Sequence, residues 1–161
     1  MNNAASWSFG EDDARRIQHL LAQFLADSGA RTALIVDRTG QLVATVGEAP
    51  AFDPTAFATL TAADFSANDQ LARLIGESDF SVLFHQGEKE SMYLADIARR
   101  VILVVLFDER SSLGLVRLRV RKASDELTRI LESLIKKAAS ANAPSVFAEI
   151  TDDDIDNLFN D

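Results

Sequence analysis

The sequence predicts an α+β domain in which the elements run α-β-β-α-β-β-β-α and antiparallel strands are covered by helices. Three observations lead there. Apolar residues recur at helical spacing in three separate stretches. Short β-rich runs fall between those stretches, first a pair and then a set of three. The links inside each set are too short for a parallel crossover, so neighbouring runs must return antiparallel.

The first helix spans 11–28. Ile17, Leu20, Leu21, Phe24 and Leu25 lie at i, i+3, i+4, i+7 and i+8 on one stripe, and Gly29 suits the left-handed position that ends a helix. Two strands follow at 32–37 and 41–46, around Asp37-Arg38-Thr39-Gly40, a hairpin signal. Ala33-Leu34-Ile35-Val36 is continuously apolar, as a strand covered on both faces requires; the mixed 41–46 run belongs at or near an edge. The second helix opens with Asp53 as N-cap and Pro54 at its first position, and Gly76 ends it. Phe57, Leu60, Leu71, Leu74 and Ile75 are its expected core stripe. Between them, 61–68 is dominated by short side chains that allow another backbone to approach closely. That stretch reads either as a contact surface or as an Ala-rich helix packed on its own sheet.

Three strands come next. Along 80–86, Phe80, Val82 and Phe84 alternate with Ser81, Leu83 and His85; 91–97 returns after a turn at 87–90. The run Val101-Ile102-Leu103-Val104-Val105-Leu106-Phe107 is the most apolar in the chain and fits a central strand. The last helix is expected over 112–137, with Leu113, Val116, Val120, Leu127, Ile130, Leu131 and Leu134 as its stripe. Arg117, Arg119, Arg121 and Lys122 form a basic cluster in its first half, read as a solvated face answering nearby acids. Residues 1–10 are an N-terminal extension, 11–137 the domain, and 138–161 a linker of small residues followed by an acidic tail. In the tail Thr151 can cap a short helix whose Ile155, Leu158 and Phe159 share a face, an anchor for helix-in-groove docking. Phe147 and Ile150 join them as tail contact residues. The other reading of the tail is a solubilising acidic segment.

Composition narrows the function classes. The formal charge is −9, and 139–161 holds six acids with no Lys or Arg. The other residues carry all 16 bases against 19 of the 25 acids, so neither part suits a phosphate backbone or an anionic membrane. Cysteine is absent, which excludes disulfides and thiolate metal sites. No apolar run approaches the ~20 residues that cross a bilayer, and the first residues lack the pattern of a signal peptide. A cytoplasmic protein is expected. His19 and His85 have no ligand at metal spacing. The glycines at 10, 29, 40, 47, 76, 87 and 114 form neither a phosphate loop nor G-x-G-x-x-G. No serine sits in a nucleophile elbow. The expectation is a protein with no catalytic residues, no cofactor and no metal.

The element order, the segment 34–43 (LIVDRTGQLV), the helix start 111–117 (SSLGLVR) and the acidic tail together resemble the roadblock / dynein light-chain family, in particular its bacterial MglB branch, over residues 11–161. The resemblance implies a roadblock-type sandwich with a five-stranded antiparallel sheet. It implies a homodimer formed where two sheets and their second helices meet. It further implies a GTPase-activating protein for an MglA-type Ras-like small GTPase in bacterial cell polarity and motility, recruited to a cell pole. Such a protein has no active site of its own and works by reorganising the GTPase's site, a population shift. By similarity the GTPase would meet Thr61, Ala62, Ser66, Ala67 and Gln70, and the tail would supply a second contact, to the GTPase or to an accessory polarity protein. The chain departs from the family's run of small residues at Phe65, Asn68, Asp69 and Gln70. Arg38 and Arg110 are the candidates if an arginine finger were donated. The alternative function is a scaffold that recruits partners without changing GTP hydrolysis.

Overall fold

The computed structural model describes residues 10–148, with side chains to residue 140. The elements are α1 (Glu11–Ser28), β1 (Thr32–Asp37), β2 (Leu42–Gly47), α2 (Pro54–Leu74), β3 (Val82–Gln86), β4 (Ser91–Ile97), β5 (Val101–Phe107) and α3 (Leu113–Ala148). The strands form a five-stranded sheet in the order β2-β1-β5-β4-β3, with every neighbouring pair antiparallel. The expected fold class is therefore the observed one. β2 lies at one edge as expected, and β5 at the centre.

Helices cover both faces, which explains the continuously apolar strands. Ala33 and Ile35 of β1, with Leu103 and Val105 of β5, point toward α1 and α3, where Ile17, Leu21, Phe24, Val116, Val120 and Leu127 meet them. Leu34, Val36, Ile102 and Val104 point the other way, toward Ala58 and Phe65 of α2. Alternation along each strand thus feeds two cores at once. Gly29, at φ 70°, donates its N–H to Leu25 O at 3.0 Å and ends α1 in the left-handed cap the sequence suggests.

Two expectations change. The linker read from residue 138 is helix: α3 continues to Ala148, through Ala138, Ala139, Ala141 and Ala143. Short side chains are ambiguous between linker and helix, and alanine is the best helix former of all. Phe147 therefore stands on α3, its side chain beyond those described; Ile150, Ile155, Leu158 and Phe159 lie outside the described residues. The second change concerns α2. Its expected core stripe is turned outward, with Leu60 69%, Leu71 58%, Leu74 82% and Ile75 70% exposed. Only Phe57 of that set packs against the sheet-side core.

Candidate functional site

The surface built by α2 begins at its cap. The Asp53 side chain accepts from Thr55 N at 3.0 Å, and Pro54 occupies the first turn, where no donor is needed. The buried face of the helix is Ala58, Thr61, Phe65, Asn68 and Ala72. These recur at i, i+3, i+7, i+10 and i+14, one line down the helix. Phe65, fully buried, is its one large apolar side chain; the others are short and let the helix lie close to the strands. Leu60, Ala67, Leu71 and Leu74 lie on the opposite face, in phase with one another. The helix thus carries two apolar faces, one against the sheet and one toward solvent.

The β1–β2 hairpin holds α2 in this orientation. Asp37, buried, accepts from Thr39 N at 2.9 Å, Thr39 Oγ1 at 2.7 Å and Gln41 N at 2.9 Å, which fixes the turn. Gly40 adopts φ 94°, and a Cβ there would sit 3.1 Å from Thr59 Cα and 3.7 Å from the Ala62 methyl. The short side chains of this part of α2 therefore admit the chain's own hairpin. Arg38 reaches from the turn across Phe65, its guanidinium carbon 5.1 Å from the ring centroid. It donates to Asp69 at 2.9 Å and to Asp96 at 2.5 Å. Burial works against its charge, but hydrogen bonds and charges from Asp96 and Asp69 outweigh that and raise its pKa above the ordinary arginine value.

On the other side of α2, Asp64 meets His85 Nε2 of β3 at 2.8 Å, so the helix adjoins the unpaired edge of the sheet. β3 is only partly covered, and Val82 on it is 39% exposed. At a different end of the sheet, Arg110 donates to Asp108 at 3.1 Å and Glu48 at 3.3 Å. Arg31 joins the same network through Glu48 at 2.6 Å and through Glu90. Arg31, then Arg110, hydrogen-bond Glu48 and hold its carboxyl below the usual range; the Arg110 side chain does the same for Asp108.

Of the residues expected to face a partner, Ser66, Ala67 and Gln70 are exposed and Ala62 is half-buried beside Gly40. Thr61 is removed from that surface: it is 4% exposed and faces the sheet. The structure brings Ser66, Ala67 and Gln70 together on one helix, beside the Leu60, Leu71 and Leu74 stripe. That stripe was missed as a surface because leucines at helical spacing read as core. Among the described residues no group of three or more His, Asp or Glu side chains is placed to hold a metal ion, and no helix is long and apolar enough to cross a membrane.

A three-layer α/β/α sandwich with an uncovered second helix and an open β3 edge defines the class. The Roadblock/LC7 domain profile matches residues 6–107, and the chain belongs to that family. Among solved structures it is similar to Myxococcus xanthus MglB, at 47% identity and a TM-score of 0.71, covering 73% of this chain and 96% of that one. It is also similar to the gliding protein MglB from Thermus thermophilus, at 36% identity and a TM-score of 0.72, covering 78% and 94%. An MglB described as having a tetrameric arrangement matches at 35% identity and a TM-score of 0.73, covering 78% and 94%. A comparison with curated proteins gave no match.

Proposed function

We propose that the chain is a homodimeric regulator of an MglA-type Ras-like small GTPase, acting as its GTPase-activating protein in bacterial cell polarity and motility. The observation that carries the reading is the outward stripe of α2, whose three leucines, with Ile75 at the C-cap, are each more than half exposed beside the open edge of β3. A second copy pairing its β3 edge and its α2 against these would bury the stripe and extend the sheet. Ser66, Ala67 and Gln70, on the same helix, would then form the GTPase-facing strip of the dimer. Of the family departures, Phe65 and Asn68 are buried and Asp69 is held by Arg38, so only Gln70, which is exposed, changes that strip. Likeness to MglB over nearly the whole length of those chains supports the same reading.

The dimer would act by reorganising the GTPase's own residues. Neither Arg38 nor Arg110 is poised as a donated finger, since each guanidinium is already held by two carboxylates. Freeing Arg38 would leave Asp69 and Asp96 unmatched. Such a regulator would work in the cytoplasm, recruited to a cell pole, and the tail residues Phe147, Ile150, Ile155, Leu158 and Phe159 would provide the second contact, to the GTPase or to an accessory polarity protein.

Single-turnover GTP hydrolysis by the partner GTPase tests this, with the full chain and with a version ending at Ala148. Acceleration by both assigns activation to the domain and leaves the tail an accessory role. Binding without acceleration by either would replace this reading with that of a scaffold.

A further inference from the structure

On the face of the sheet opposite α2, a groove of about 470 Å³ runs between α1 and α3. Its floor is apolar, from Leu20, Phe24, Ala123 and Ile130. Arg119, Lys122 and Arg129 of α3 stand along it. Among the described residues none of these three has a carboxylate within 4.0 Å, and neither have Arg117 and Arg121, so the cluster of Arg117, Arg119, Arg121 and Lys122 is solvent-facing in large part but lacks the acid partners its sequence suggests. The Nε of Arg119 is buried with no hydrogen-bond partner. The lining also holds two acids, Asp27 and Glu126, against the four cations Arg16, Arg119, Lys122 and Arg129, so positive charge is in excess. An apolar floor beneath unanswered cations, one with an orphaned buried donor, calls for an occupant that is both acidic and apolar.

We propose that the occupant is the chain's own C-terminal segment, residues 149–161, folded back along α3. That segment contains six acids, no base, and the apolar side chains Ile155, Leu158 and Phe159. Charge and apolar surface both match the groove. The reach decides the form. From Ala148 back to Ile130 is about 27 Å, and to Lys122 about 39 Å, at the rise of an α-helix. In extended form Leu158 and Phe159 lie about 33–36 Å beyond Ala148 and fall between those limits. Three extended residues followed by a helix over 152–159 would cover only about 22 Å and fall short. The segment therefore has the length to reach the groove. This inference does not depend on the GTPase reading, although docking would withhold the tail's apolar residues from any partner.

The absence of cysteine makes the test direct. In the full chain, Gln23→Cys on the α1 wall and Asn157→Cys in the tail are oxidised mildly at low protein concentration, and the linked peptides are identified by mass spectrometry. The expected product is an intrachain disulfide. It should fall by about tenfold when Lys122→Glu and Arg129→Glu reverse the charge of the groove, and likewise for the parent pair in about 1 M salt, where screening shortens to about 3 Å. Moving the first cysteine to Ser66→Cys on α2 should abolish it. No disulfide, one that forms only between chains, or one indifferent to both charge reversal and salt would each overturn the proposal. Lys122 and Arg129 are exposed, so thermal melting should show the reversed variant folded.

Discussion

Replacing Leu60 and Leu71 by lysine tests the two-faced reading of α2 at its strongest point. Both side chains are more than half exposed, at 69% and 58%. Lysine is a good helix former, and Lys at position 60 would stand four residues from Asp64. The protomer should therefore lose no more than about 0.5 kcal/mol. The dimer should lose far more. Fully burying a leucine or isoleucine is worth about 2 kcal/mol, so the exposed parts of Leu60, Leu71, Leu74 and Ile75 represent about 5–6 kcal/mol per protomer and twice that across a symmetric pair. Removing two of the four on each protomer takes away about 5 kcal/mol, and placing ammonium groups in the contact removes more. At about 1.4 kcal/mol per tenfold, the dimer Kd should rise by three orders of magnitude or more.

Sedimentation equilibrium measures that Kd, and urea unfolding of the variant measures the protomer. A dimer as tight as the parent would refute the claim that the stripe is the contact. A protomer destabilised by several kcal/mol would instead show that these leucines belong to the core, reversing the orientation of α2.

Other consequences are more local. The β4–β5 turn places Ala98 and Arg99 at φ 54° and 57°, so Ala98→Asn with Arg99→Gly should stabilise the chain by about 1–2 kcal/mol in chemical denaturation. Asp37→Ala removes an acceptor of three hydrogen bonds from a buried turn and should cost about 3 kcal/mol by the same measurement. Because Glu48 and Asp108 have depressed pKa values in the fold, their contribution is present above the ordinary carboxylate range and is lost as pH falls through the lowered values. A urea midpoint that declines in acid, and declines less steeply in Glu48→Gln, would bear this out. If activation proceeds without a donated finger, Arg110→Ala should leave single-turnover GTP hydrolysis unchanged, and a loss of about 10³-fold would reinstate the finger.

Much of the fold is legible because the strands have little choice. A seven-residue apolar run such as Val101–Phe107 must be covered on both sides, and the mixed run after the hairpin must not. The stripes of α1 and α3 are more readily placed, since their other faces are mostly polar or charged, with Leu118 the large apolar exception on α3. α2 was legible as a helix but not in rotation. It has leucines on one side and a single phenylalanine among short residues on the other, and counting apolar side chains selects the wrong side. Packing chose Phe65 because Ala58, Thr61 and Ala72 let the helix approach the sheet closely, as four large side chains would not. Arg38 was legible only as an exposed turn residue. Its partners, Asp69 and Asp96, lie 31 and 58 residues away, and no local pattern joins them.

The two cores are unequal, and that inequality bears on function. The α1/α3 side buries residues from two helices and three strands, whereas α2 brings one fully buried large side chain, Phe65, and the partly buried Phe57 to its own. The larger apolar surface of α2 faces away from the protomer that holds it. In the proposed dimer a helix in that position would gain much of its available burial only when a second copy covers it, so its order and dimerisation would be thermodynamically linked. Ser66, Ala67 and Gln70 lie on this same helix. A regulator that must present a rigid surface to a GTPase would then present it only as a dimer, because dimerisation completes the packing of the element that carries the surface. The Arg38 bridge makes the coupling specific, since it fixes the rotation of α2 through Asp69 and Phe65 while tying it to Asp96 on β4. Loss of the bridge would leave the helix with two competing apolar faces and one fewer reason to choose between them.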